Sequence, residues 1–129
     1  MTRRIEPGAT WMACDLHTHT PFDPTRSFGV DVRAAMQALR QEQPARLTQI
    51  AERFIDACAA AVNGEGLDLV AITDHNSIDG YRILRPYFEA ILSQRNRTTP
   101  AILPGVEFSV GGERPIHFLV VFAKATPPT

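Results

Sequence analysis

The stretch LDLVAITDHN, residues 67–76, decides how the rest of the chain is interpreted. Its first seven residues form an apolar run, and turn-forming residues follow directly. A short run of this kind is typical of a strand that is covered on both faces, as the strands of parallel sheets are. We therefore expect residues 67–73 to be a buried strand and Asp74 and His75 to lie at its carboxyl end.

The segments around this stretch alternate between strand and helix patterns. Strands are predicted at residues 11–17, 67–73, 101–110 and 116–123, and helices at 30–41, 47–66 and 77–95. The first strand is expected to be buried. Pro44 should end the first helix, Asn63-Gly64 should end the second, and Pro86 should kink or split the third. Strands that alternate with helices predict an α/β fold with a mainly parallel sheet and helical crossovers.

Composition narrows the class of protein. The chain has 129 residues, 14 acidic against 13 basic side chains, and a net charge of −1. This balance gives no general attraction to nucleic acid or to a membrane surface. The two cysteines, Cys14 and Cys58, form no framework of pairs, and no apolar run has signal-peptide or membrane-spanning length, so we expect a soluble cytoplasmic protein. One domain is predicted at 11–124, with tails at 1–10 and 125–129.

Two of the four histidines lie in CDLHTHTPFD, residues 14–23. Alternate residues of a strand share a face, so Asp15, His17 and His19 are predicted on one face. Two imidazoles there can share a metal ion, and Asp15 could hold a ring N–H and orient the ring. The alternative is a pair of histidines in solvent at the end of a strand, and an H-x-H pattern alone does not decide between them.

The other two histidines lie beside acids at further strand ends. Asp74 and His75 follow the buried strand, at the same end of the sheet as His17 if the strands are parallel. Glu107 lies inside an apolar strand, where an unpaired carboxylate is costly and a metal would offset the cost. A hairpin at Gly111-Gly112 would place His117 roughly opposite Glu107. The alternatives are a turn-forming Asp74, a surface His75, an edge-strand Glu107 facing solvent and an exposed His117.

Three motifs in this order, DLHTHT, AITDHN and PGVEFS followed by HFLVV, resemble the PHP domain of the polymerase and histidinol phosphatase superfamily. The resemblance runs from Cys14 to Ala123. The sequence is also similar, more weakly, to PHP domains that precede ATPase modules in larger bacterial proteins. The resemblance implies a distorted barrel of seven strand–helix units, of which this chain would supply about the first half, with a β-hairpin near the C-terminus.

The resemblance also implies a function, metal-dependent hydrolysis of phosphate esters, including nucleotide or DNA-end phosphates. A complete site would hold two or three divalent ions, with Zn, Mn or Fe suiting mixed histidine and carboxylate ligands. By this resemblance His17 and His19 bind one metal, Glu107 bridges to a second bound by His117, and His75 binds a third or lies beside it. Glu107 and His75 are the candidate catalytic residues, and Asp15 and Asp74 the supporting acids.

The chain departs from the family pattern in two ways. Family members often carry another ligand a few residues after H-x-H, where this sequence offers only Asp23: a ligand, a supporting acid or, by default, a turn former. After His117 no further Asp, Glu, His or Cys follows, so we expect an incomplete site. The alternative function is a non-catalytic fragment that binds metal or a partner, with a homodimer or a partner chain completing the barrel.

A third hypothesis concerns nucleic acid. Four arginines lie on and after the third predicted helix and could contact phosphates; they are Arg82, Arg85, Arg95 and Arg97. A solvated helix face is the alternative explanation.

Overall fold

The computed structural model describes residues 11–23, 25 and 32–123. The predicted tails at 1–10 and 125–129 lie outside these residues, as does most of the segment 24–31. Three helices and four strands follow one another along the chain: β1 (Cys14–Thr18), α1 (Val32–Arg40), α2 (Pro44–Ala60), β2 (Leu69–Ile72), α3 (Asp79–Gln94), β3 (Ala101–Val110) and β4 (Ile116–Val121).

The four strands form one curled sheet in the order β1-β2-β3-β4. β1, β2 and β3 are parallel, whereas β4 returns antiparallel to β3. The predicted mixed α/β class, the mainly parallel sheet and the C-terminal hairpin are therefore confirmed. β3 changes partner along its length: residues 101–104 pair with β2 and residues 105–110 pair with β4. The second half of β3 thus extends past the carboxyl end of β2, where the candidate site residues were expected.

β2 is the buried centre of the sheet. Val70, Ala71 and Ile72 are fully buried although successive strand residues face opposite sides, so the prediction of a strand covered on both faces is confirmed. The prediction that the first strand is buried is wrong. Trp11 is 98% exposed and Leu16 is also exposed, because within the described residues β1 pairs only with β2 and forms an edge of the sheet.

α2 packs the face that its sequence periodicity predicts. The buried residues are Leu47, Ile50, Ala51, Phe54, Ile55 and Cys58. Val62, which the predicted helix 47–66 includes, lies beyond the end of α2 with a positive φ of 54° and is exposed. Pro44 does not merely stop α1: it opens α2 at its first turn, where its missing N–H costs no helical hydrogen bond.

α3 runs unbroken from Asp79 to Gln94 with Pro86 inside it, so the helix is not split. Pro86 lies on the exposed side, while Leu84, Phe88 and Ile91 pack into the core. The burial of this face outweighs the loss of one hydrogen bond at the proline. Among the described residues, no helix is both long enough and apolar enough to cross a membrane.

Candidate metal centre

Glu107 lies in the middle of β3 and is 3% exposed. Its backbone N–H donates to the carbonyl of Asp74 at 3.2 Å, and its carbonyl accepts the N–H of Asn76 at 2.9 Å. These two bonds continue the parallel pairing of β2 and β3 beyond the end of β2. They hold His75 directly beside Glu107, so two sites predicted from separate motifs are brought together by the backbone itself.

All four histidines converge on the Glu107 carboxylate. The Nε2 atoms of His17, His19 and His75 lie 2.8, 3.3 and 3.4 Å from Oε2, and Nδ1 of His117 contacts Oε1. The His19 and His75 rings stack with centroids 5.0 Å apart. His19 and His75 are mostly buried, whereas His17 and His117 are about half exposed at 47% and 46%. The cluster therefore has a buried centre and two open sides.

The hairpin places His117 near Glu107, but not directly opposite it. Leu119 pairs with Glu107, and His117 pairs with Ser109. Residues two apart on a strand share a face, so His117 is a diagonal neighbour of Glu107 on the same side of the hairpin. Ser109 Oγ also lies 3.3 Å from His117 Nδ1.

Asp23 is 1% exposed and lies at the back of the cluster. Its Oδ2 lies 2.8 Å from Nδ1 of both His19 and His75, and accepts the backbone N–H of His75 at 2.9 Å. Its Oδ1 accepts the N–H and the hydroxyl of Thr25, both at 2.8 Å. Asp23 thus forms the expected turn with one oxygen and supports two imidazole rings with the other.

This contact fixes the orientation of the two buried rings. An ionised carboxylate only accepts hydrogen bonds. The Nδ1 atoms of His19 and His75 therefore donate to Asp23, and this contact directs their Nε2 atoms toward Glu107. A carboxylate behind a histidine is the usual arrangement around metal-binding imidazoles.

The carboxyl groups of the site differ in their pKa values. Burial alone would raise the pKa of Glu107, but hydrogen bonds from His17 and His117 and the charge of His75 lower it. Burial likewise opposes ionisation of Asp23, and the hydrogen bonds from His75 and Thr25 outweigh it, so the pKa of Asp23 lies well below its ordinary value. Both groups therefore favour the anionic form that binds cations.

Asp74 binds Thr20 and not the histidine rings. Its Oδ1 accepts the N–H of Thr20 and its Oδ2 accepts the Thr20 hydroxyl, both at 2.7 Å. Burial raises the pKa of Asp74 despite these bonds. Asp74 thus ties the loop after β1 to the end of β2, beside the cluster and without facing its centre.

Asp15 contacts His17 in a way that the sequence did not suggest. Its Oδ1 accepts the backbone N–H of His17 at 3.0 Å, and Asp15 itself is exposed. The acid that holds imidazole N–H groups is Asp23. Thr20 and Thr25 were not singled out from the sequence, although the spacing in DPT, residues 23–25, is the pattern of an aspartate-capped turn and could have indicated Thr25.

Three overlapping groups of donors could each hold a metal ion: His17, His19 and Glu107; His19, Asp23 and His75; and His75, Glu107 and His117. Within each group the donor atoms lie within 4.8 Å of one another. Glu107 Oε2 cannot accept good hydrogen bonds from three Nε2 atoms at once. A cation among these atoms would interact favourably with the three nitrogens and with the carboxylate oxygen. The donor set of nitrogen and oxygen atoms fits a divalent metal.

Three of the four arginines proposed as phosphate contacts have acidic partners. Arg82 lies 4.0 Å from Asp79, Arg85 lies 2.9 Å from Glu89 and Arg95 lies 2.7 Å from Asp56. These exposed pairs suit a solvated helix surface.

The fold and the site define a class: a curled α/β sheet with a histidine–carboxylate cluster that could hold metal at the carboxyl end of its central strand. The chain matches no family model and no curated protein.

Proposed function

We propose that this chain carries the metal centre of a phosphoesterase of the PHP type, acting on phosphate monoesters. The observation that supports the proposal is the convergence of four imidazoles on the buried carboxylate of Glu107. The ordered motifs DLHTHT, AITDHN and PGVEFS supply every one of these residues except His117, which opens the following strand motif.

The arrangement of the rings suits two cations, each of which would be held by two imidazoles and the Glu107 carboxylate. A neutral imidazole offers one lone pair. Because His19 and His75 donate Nδ1–H to Asp23, their Nε2 atoms are left to bind metal in the two donor groups that contain Glu107. One cation would be held by His17, His19 and the Glu107 carboxylate, and a second by His75, His117 and the same carboxylate. Zinc, manganese and iron all suit these donors.

When bound, such cations supply Lewis acidity toward a phosphoryl group and lower the pKa of water at the site. Hydrolysis forms a bond from a water oxygen to phosphorus and breaks the bond from phosphorus to the ester oxygen. One water proton passes to the leaving alcohol, and the products are phosphate and the alcohol. The half-exposed imidazoles of His17 and His117 leave two sides of the site open to solvent, and Glu107 and Asp23 hold the buried rings in place.

The proposal is tested by metal content and by hydrolysis of p-nitrophenyl phosphate in the presence of Zn²⁺ or Mn²⁺. We expect about two metal ions per chain. Glu107→Gln should lose both ions and reduce the rate by more than about a hundredfold, because the bridging charge is removed. Glu113→Gln, which changes an exposed glutamate in the hairpin turn, is the matched control and should change neither quantity.

The same experiment separates the proposed enzyme from the alternative of a non-catalytic module. Metal bound at the same stoichiometry, without turnover under any of the divalent ions, would favour the module. Full activity in Glu107→Gln would exclude this site as the source of hydrolysis.

A further inference from the structure

A cavity of about 550 Å³ adjoins the metal centre. It lies between α1, the first turns of α3 and the loops that follow β1 and β2. Asp23 and His75 belong both to the cavity wall and to the donor cluster. A molecule with one end at the cluster can therefore place its other end in this cavity, and the volume is in the range of small-molecule sites.

The interior wall of the cavity is largely apolar. Phe22 lines it from the loop after β1, Met36 and Leu39 from α1, and Ile83 from α3. All four are only partly buried. Phe22, Leu39 and Ile83 also pack against the hydrophobic core, so the wall they form is held by the core behind it and does not depend on a ligand for its shape.

The acidic groups of the wall already have partners. Both oxygens of Asp23 accept hydrogen bonds from Thr25 or from the histidines, and both oxygens of Asp74 accept from Thr20. At the rim, Asp79 faces Arg82 at 4.0 Å. Ser77 and Arg82 also line the cavity, and an apolar group placed against the opposite, apolar residues would bury surface favourably.

We propose that this cavity binds the apolar alcohol portion of a phosphomonoester whose phosphate lies at the metal centre. The inference rests on the proposed function and narrows its substrate class to aryl or branched alkyl phosphates. α1 and α3 thus determine specificity, and the histidine cluster supplies the phosphate site.

The test compares two stable phosphonates, benzylphosphonate and methylphosphonate, by calorimetric titration of the zinc-loaded protein. Both present a similar charged group, and only the first carries a ring for the cavity. We expect benzylphosphonate to bind roughly tenfold or more tightly, since a buried ring contributes at least this much.

Two variants, each with a control on the same helix, test whether the preference for benzylphosphonate arises in the cavity. Met36→Trp should fill the cavity and abolish the preference, whereas Gln37→Trp, at the adjacent exposed position of α1, should leave it. Ile83→Ala should weaken benzylphosphonate alone, by about tenfold. Leu92→Ala, a partly buried position of the same helix outside this cavity, is its control. Zinc content should stay unchanged in all four variants.

The outcomes distinguish this inference from the proposed function. Equal affinity for the two phosphonates, or a preference that survives Met36→Trp and Ile83→Ala, overturns the cavity assignment even if p-nitrophenyl phosphate is hydrolysed. A preference that depends on Met36 and Ile83 supports the assignment even if no ester is hydrolysed, and in that case only the proposed hydrolysis fails.

Discussion

At the metal centre, one oxygen of Asp23 contacts two imidazole rings and one backbone amide. Replacing Asp23 with asparagine puts an amide at the position where the Nδ1–H groups of His19 and His75 both need an acceptor. We expect Asp23→Asn to lower zinc affinity by about 10–100-fold, the usual effect of losing an acid behind a histidine ligand. Competition with a chelator measures this. Asp79→Asn, an exposed acid at the cavity rim, should change zinc affinity little, and equal affinities in the two variants would contradict the role given to Asp23.

Asp23 should also make the stability of the metal-free protein depend on pH. Its pKa is lower in the folded chain than in the unfolded chain, so its contribution is complete at neutral pH. As the pH falls below about 4, the unfolded chain takes up a proton that the folded chain resists, and this stability is lost. Urea unfolding in EDTA should therefore show a steeper loss between about pH 4 and pH 2 in the native sequence than in Asp23→Asn. Parallel curves would show that Asp23 carries no such linkage.

The two cysteines should differ sharply in reactivity. Burial, with a smaller effect of the Asp15 charge, raises the pKa of the Cys58 thiol to about 12, and Cys58 lies on the face of α2 that packs into the core. Cys14 is exposed on β1. A thiol reagent at pH 8 should therefore label one cysteine promptly and the second only on unfolding. Cys14→Ser should remove the prompt reaction, and prompt labelling that survives this change would contradict the burial of Cys58.

At the scale of elements, α3 approaches the site at Gly80. A Cβ at this position would lie 2.0 Å from Asp74 Oδ2 and 2.2 Å from Thr20 Oγ1. Gly80→Ala must therefore shift the helix or break the bonds between Asp74 and Thr20. We expect a loss of about 2 kcal/mol or more in the free energy of unfolding, measured with urea, together with weaker zinc binding. Gly112→Ala, where nothing lies within 4 Å, is the control, and equal stability of the two variants would refute this packing.

The elements were largely predictable from the sequence because their patterns are local. The apolar run of β2 and the periodicity of α2 depend on neighbours a few residues apart, and both are confirmed. The burial of β1 was predicted wrongly because an edge position depends on sheet order, which no local pattern contains. The link from Asp74 to Thr20 spans 54 residues, so spacing along the chain could not indicate it.

The candidate site was predictable as a set of residues, but its internal roles were not. Each of the four histidines and Glu107 was identified from its motif, and the structure brings all five together. The exchange of roles between Asp15 and Asp23 depends on where the loop after β1 turns. That turn is set by side-chain bonds of Asp23 and Thr25, which composition and periodicity do not reveal.

At the scale of the whole molecule, the β3–β4 hairpin has two different faces. Glu107 and His117 lie on the face of the metal centre. The opposite face carries an apolar surface, which we call the outer hairpin patch. It consists of Phe108, Val110, Ile116, Phe118 and Val120, which are between 37% and 63% exposed. Phe108 pairs with Phe118 across the strands, so the patch is continuous.

We expect the isolated chain to self-associate through this patch and through the edge of β4, which has no further strand beside it among the described residues. Exposed apolar edge strands readily pair with other chains. Light scattering at micromolar concentration should show species larger than a monomer, and Phe118→Lys should shift the chain toward the monomer, because a lysine in the interface would lose its hydration. Zinc content should persist, since Phe118 faces away from Glu107. Val62→Lys, which charges an exposed valine after α2, should leave the association unchanged; a monomeric native chain would contradict the expectation directly.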